Sequence, residues 1–100
     1  MERLKPWSFE TDKMSKILII EDEAAIRRVL AKIISEENDT YYVEEAEDGL
    51  LGIEMIKNND YDLVLCDIKM PKMDGVEVLE KAKKIKPEIP IVMISGHGDL

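Results

Sequence analysis

From Lys16 onward the hydrophobic residues change period at regular intervals, and a chain that alternates strand and helix patterns in this way has few architectures open to it. Ile17 to Ile20 is a short, continuous, β-branched-rich run, the pattern of a strand buried on both faces. Ile26, Val29, Leu30, Ile33 and Ile34 follow at i, i+3, i+4, i+7 and i+8, which puts one apolar stripe on a helix and leaves Arg27, Arg28 and Lys32 outside it. The pair then repeats. Tyr41 to Ala46 reads as a weaker, more polar strand suited to a sheet edge, and Asp48-Gly49 leads into a helix carrying Leu50, Ile53 and Ile56. Leu63-Val64-Leu65 marks a third strand within Asp62 to Cys66. After a loop containing Pro and Gly comes a helix with Val78, Leu79, Ala82 and Ile85 on one face, stopped before Pro87. A fourth run, Ile91 to Ile94, begins after Pro90.

Strands alternating with helices of this length imply right-handed crossovers and a parallel sheet covered on both faces, an α/β doubly wound layout. The 100 residues leave room for one domain. A hydrophobic share of 45 % against 36 % charged residues describes a globular chain with a core, too interrupted for a membrane span. The formal charge of -8 opposes direct binding to nucleic acid or to an anionic membrane surface. Cys66 is alone, which excludes an internal disulfide and a cysteine-built metal site, and no run resembles a signal peptide, so a reducing cytoplasm is expected.

In such sheets ligands bind beyond the carboxyl ends of the strands, where the strand order reverses. That rule selects Glu21, Asp22 and Glu23 after the first strand, Asp67 after the third, and Ser95, Gly96, His97 and Gly98 after the fourth. Carboxylates gathered at the ends of apolar strands are costly to desolvate side by side, and a cation is the natural remedy. Hard oxygen ligands at this density suit Mg2+, which binds through one or two carboxylates and shares its shell with phosphoryl groups. Glu21-Asp22-Glu23 also reads as a plain helix start, where acidic groups complement the helix dipole and Asp caps. That reading does not reach Asp67, which ends an apolar strand and is followed by Ile68-Lys69-Met70-Pro71. A carboxylate beside a divalent cation can attack a phosphoryl donor and form an aspartyl phosphate. Ser95 can donate its hydroxyl to that group, and the loop amides from Lys69 to Met73 offer further donors. His97 and Cys66 read as bystanders, Met70 and Met73 as apolar loop contacts, and Lys81, Lys83, Lys84 and Lys86 as the solvated face of the third helix.

Lys16 to Gly98 resembles the receiver domain of two-component response regulators. KILIIEDE is similar to the family's first strand with its acidic pair, LVLCDIKMPKMDG to the phosphoacceptor strand and loop, and IVMISGHGD to the fourth strand with its hydroxyl. The resemblance implies a flavodoxin-like sheet in strand order 2-1-3-4 and a signalling domain, with no enzyme activity beyond its own phosphorylation and dephosphorylation. It implies Glu21 and Asp22 as the acidic pair that holds Mg2+, and Asp67 as both metal ligand and phosphoacceptor. Lys69 would give its backbone carbonyl to the metal, and Ser95 the switch hydroxyl. The implied partner is a sensor histidine kinase. The Ile-Ser-Gly-His-Gly stretch looks most like receivers of the nitrogen-regulatory enhancer-binding activators, which implies transcription regulation.

In that family the fourth strand is followed by a helix, a fifth strand with an aromatic switch residue and an essential lysine, and a fifth helix; here no lysine lies beyond Lys86. The expected domain is therefore residues 14–100, a receiver without its fifth strand and helix. Residues 1–13, MERLKPWSFETDK, are expected to form a flexible extension or an arm that docks through Trp7 and Phe9. An apolar fourth strand left at the sheet edge is a template for a homodimer or a strand-exchanged oligomer. The alternative function is thus a receiver-like interaction module that does not switch on phosphorylation. A phosphatase or phosphotransferase of the haloacid dehalogenase type also places an Asp after a strand, but it needs a second Asp two residues on, where this chain has Lys69.

Overall fold

Strands and helices alternate along the chain as β1 (Ser15–Ile20), α1 (Ala24–Glu37), β2 (Tyr41–Ala46), α2 (Gly49–Asn58), β3 (Leu63–Asp67), α3 (Gly75–Ile85) and β4 (Ile91–Ile94). The computed structural model describes residues 14–95, so the readings of the 1–13 segment and of Gly96, His97 and Gly98 lie outside the described residues. Local chemistry sets the boundaries. Asp48 Oδ1 accepts the Leu51 N–H at 2.8 Å and Asp74 Oδ1 accepts that of Glu77 at 3.0 Å, which caps α2 and α3. α3 stops at Ile85, two residues before Pro87.

All strand pairs are parallel and the order is β2-β1-β3-β4, as the alternating pattern requires. The apolar β1 and β3 take the centre, the polar β2 takes one edge and the apolar β4 the other. Leu18 pairs with Val64, Ile20 with Cys66 and with Ala46, so these side chains share one face of the pleat. Ile53 and Ile56 of α2 and Val78 and Ala82 of α3 pack on them. Each fully buried aliphatic side chain contributes roughly 1.5–3 kcal/mol, so this face carries most of the stabilising burial.

The opposite face is covered less completely. Ile17 and Ile19 are buried there, and Ile34 of α1 borders a groove with Ile17, Leu63 and Leu65. The apolar stripe of α1 forms, yet Val29 and Ile33 stand 55% and 57% exposed, and Val92 of β4 is 48% exposed. The reason is geometric. One helix about 10 Å across covers two strands spaced about 4.8 Å apart, and among the described residues α1 is the one helix on this face while α2 and α3 share the other. The lysine row on α3 also departs from a purely solvated face. Lys83 Nζ donates to the Ile89 carbonyl at 2.6 Å, and Lys86 Nζ donates to the Asn59 carbonyl and to Asp60 Oδ1 at 2.8 Å. The hydrogen bond and charge of Lys86 hold the Asp60 carboxyl below its ordinary range.

Cys66 is fully buried in β3, and its S–H donates toward the Asp67 carbonyl at 3.4 Å. Burial first, and then the negative side chains of Asp67, Glu21 and Asp74, push its thiol up to about 12. The unfolded thiol titrates near about 8.5, so the stabilising effect of keeping it protonated is complete below about pH 8.5. It is lost as the pH rises toward about 12. Since the thiolate is the reactive form, iodoacetamide at pH 8 should leave native Cys66 unlabelled while labelling the denatured chain fully. Equal labelling rates in the two states would contradict this packing.

Candidate functional site

At the end of β1 the ladder runs one residue further, because the Glu21 N–H donates to the Ala46 carbonyl at 3.1 Å. The chain then turns on its own carboxylate, with Glu21 Oε2 accepting the Glu23 N–H at 3.1 Å. Arg27 in the first turn of α1 donates through Nη1 to the Glu21 carbonyl at 2.8 Å, and through Nε to Glu45 Oε1 on β2 at 3.0 Å. At the end of β3, Asp67 lies opposite Ile94, and the Ile68 N–H donates to the Ile94 carbonyl at 3.0 Å. Ser95, exposed, is therefore the next position after the residue that pairs with Asp67.

These turns bring Glu21, Asp22 and Asp67 together, with one carboxylate oxygen from each lying within 4.8 Å of the others. Glu21 and Asp67 are completely buried and Asp22 is half-buried. Asp22 Oδ1 is buried with no hydrogen-bond partner among the described residues. A buried carboxylate oxygen in that condition is costly, and the donors around it are all hard oxygens, so the residues present fit a divalent cation of the Mg2+ type. The trio does stand at a helix start, but the capping bond expected of that reading is not made. The residue at the head of α1 is Glu23, whose side chain makes no capping bond.

The loop after Asp67 forms the other wall, and Asp22, Ile68, Lys69, Met70, Pro71 and Asp74 line an open cleft. Met70 and Met73 anchor the loop in the core, as apolar contacts. Lys72 has φ 72 and the Met73 N–H returns to the Pro71 carbonyl at 2.8 Å, the backbone of a tight γ-type turn that non-glycine residues seldom adopt. The Gly75 N–H donates to the Ile68 carbonyl at 2.8 Å, and a Cβ there would collide with the Asp67 carbonyl and lie 2.8 Å from Ile68 Cα. Only glycine lets α3 start this close to the end of β3.

Of the residues chosen from sequence, Glu21, Asp22 and Asp67 meet in one cluster, Lys69 lines the adjoining cleft, and Ser95 stands at the neighbouring strand end. Two residues were not selected. Asp74 has a sequence signal, a capping Asp three residues before Glu77, although nothing in that signal places it on the cleft. Arg27 reads as a solvated residue outside the apolar stripe, whereas its side chain is only 11% exposed and lies against the Glu21 turn.

The family model of the response regulator receiver domain matches residues 17–100. A protein-glutamate methylesterase/protein-glutamine glutaminase of Methylobacillus flagellatus is 45% identical over 81 residues, 81% of this chain and 22% of that protein. Its counterpart in Nitrosomonas europaea is 41% identical over 83 residues, 83% of this chain and 23% of that protein. The chain thus spans about a fifth of the length of these curated relatives. Among solved structures, a CheY-like receiver domain protein from Methanospirillum hungatei is 38% identical with a TM-score of 0.79, covering 88% of this chain and 69% of that one. The receiver domain of the hybrid histidine kinase CckA is 34% identical with a TM-score of 0.74, covering 85% and 79%. The finer likeness to nitrogen-regulatory activators is not confirmed by these matches. No helix among the described residues is long and apolar enough to cross a membrane. With its strand order, its acidic strand ends and this family match in agreement, the chain belongs to the response regulator receiver domains, the CheY-like phosphoacceptor fold of two-component signalling.

Proposed function

We propose that Asp67 is the phosphoacceptor and that it takes its phosphoryl group from the phosphohistidine of a sensor histidine kinase. The observation that carries this reading is the meeting of Glu21, Asp22 and the fully buried Asp67 within 4.8 Å at the carboxyl ends of two central strands. A carboxylate oxygen of Asp67 attacks phosphorus, the P–N bond to the donor imidazole breaks, and the electron pair leaves with that nitrogen. Asp22, Asp67 and the Lys69 carbonyl would hold Mg2+, with Glu21 acting through a water. When bound, the ion supplies positive charge against that of the phosphoryl oxygens. Ser95 donates its hydroxyl to the transferred group, and the Glu21 carboxylate fixes the turn that presents Asp22 through its bond to the Glu23 N–H. Residues 14–100 constitute the receiver, 1–13 precede it, and the site of action is the cytoplasm. The domain transfers the signal as a phosphoprotein and is not itself an enzyme acting on other substrates.

A phosphoryl donor such as acetyl phosphate with MgCl2 should add a single phosphoryl group by intact mass. The adduct should be absent in Asp67→Asn and lost on chelation with EDTA. An adduct of equal yield in Asp67→Asn overturns the assignment.

A homodimer or strand-exchanged oligomer through β4 is the second part of the proposal. β4 is the end strand of the sheet among the described residues, and Val92 is exposed on it. Sedimentation velocity of this 100-residue chain should show a mass that rises with concentration, and Val92→Lys should shift it toward monomer. A monomer at every concentration rules the interface out.

A further inference from the structure

We propose that Arg27 is a positioning residue for the acidic site: its guanidinium braces the turn carrying Glu21 and Asp22 and thereby sets how tightly the site takes a divalent cation. This rests on the metal-site reading above. The Arg27 head is nearly enclosed, 11% exposed, and it bonds in two directions. Nη1 holds the Glu21 backbone carbonyl at 2.8 Å and Nε holds Glu45 Oε1 at 3.0 Å. Glu45 sits on β2 opposite Ile19, one step before the Ala46 carbonyl that takes the Glu21 N–H. The turn after β1, the first turn of α1 and the end of β2 are therefore tied through one side chain. Arg28, the next residue, is exposed and makes none of these contacts.

Simple electrostatics argue against a cation at this position twice. A positive side chain in the first turn opposes the helix dipole, and a positive charge near a cation site repels the ligand through space. What the guanidinium supplies in return is geometry. Its planar fork reaches a carbonyl and a carboxylate at once, which a lysine ammonium cannot reproduce in the same directions. Glu45 balances its charge, so the field reaching the site is small while the hydrogen bonds remain. Groups that orient metal ligands in this way typically change affinity by about 10-fold or more when removed.

The two roles predict opposite outcomes. As a brace, Arg27→Met should weaken Mg2+ binding about tenfold, Arg27→Lys should restore less than half of that loss, and Glu45→Gln should weaken binding by a smaller factor. As a charge alone, Arg27→Met should bind Mg2+ more tightly and Arg27→Lys should match the wild type. The measurement is a titration of MgCl2 into the full chain, followed by the amide signals of Asp22, Asp67 and Lys69. Folding is checked in the same spectra by core signals such as those of Val64 and Ala82. If Arg27→Met does not fold, Arg27→Lys and Glu45→Gln carry the comparison. Saturable shifts in the wild type with unchanged or tighter binding in the variants overturn the positioning role alone. A wild type without saturable shifts overturns the metal site, and this role with it.

Discussion

The crowding of negative charge at the carboxyl ends of β1 and β3 is the constraint around which the rest of the molecule is arranged. Two unit charges about 5 Å apart repel by about 3 kcal/mol at an effective dielectric of about 20, which equals the gain from burying an aliphatic side chain. Glu21, Asp22 and Asp67 lie at such separations, and two of them are wholly buried. The arrangement survives because the apolar face of the sheet, packed by α2 and α3, supplies enough burial to offset it. It holds its shape because the backbone around it is fixed at several points. The Glu21 N–H joins β2, the Glu23 N–H joins Glu21, the Ile68 N–H joins β4 and the Gly75 N–H joins Ile68. Strain is carried in the same place, in the left-handed backbone of Lys72.

Much of this was legible in the residue pattern. The runs at Ile17 and Leu63 announce buried strands because a strand covered on both faces has little room for polar residues, whereas the equally apolar run at Ile91 forms an edge strand with Val92 exposed. The parallel topology follows from the helices between them, and the topology alone sends Glu21, Asp22 and Asp67 to one edge. Contacts between elements distant in sequence were not legible. Arg27 falls outside the apolar stripe of α1 and so reads as solvated, and only the placement of β2 shows that Glu45 waits for it. Lys83 and Lys86 look like a charged surface row until the folded loops present the Ile89 and Asn59 carbonyls. Periodicity likewise marks Val29 and Ile33 as apolar without saying whether a neighbour covers them.

The two faces of the sheet differ in consequence. The α2 and α3 face is a packed core, and Met70 belongs both to that core and to the lining of the cleft beside Asp22. The α1 face carries the turn with Glu21 and Asp22 and the Arg27 hydrogen bond to it, and it keeps exposed apolar residues on α1 and β4.

The gathered carboxylates of Glu21, Asp22 and Asp67 cost stability, and a divalent cation held there, as proposed, restores it. Thermal unfolding of the full chain, measured with and without MgCl2, tests it most directly. Mg2+ should raise the midpoint of the wild type in the manner of a ligand bound only by the folded state, about 2.7 kcal/mol at a hundredfold excess over Kd. Asp22→Asn should be more stable than the wild type without metal, because a negative charge has been removed from the cluster, and should gain little from Mg2+. A wild-type midpoint indifferent to Mg2+, or an Asp22→Asn variant that is less stable without metal and keeps the full increment, would contradict the account.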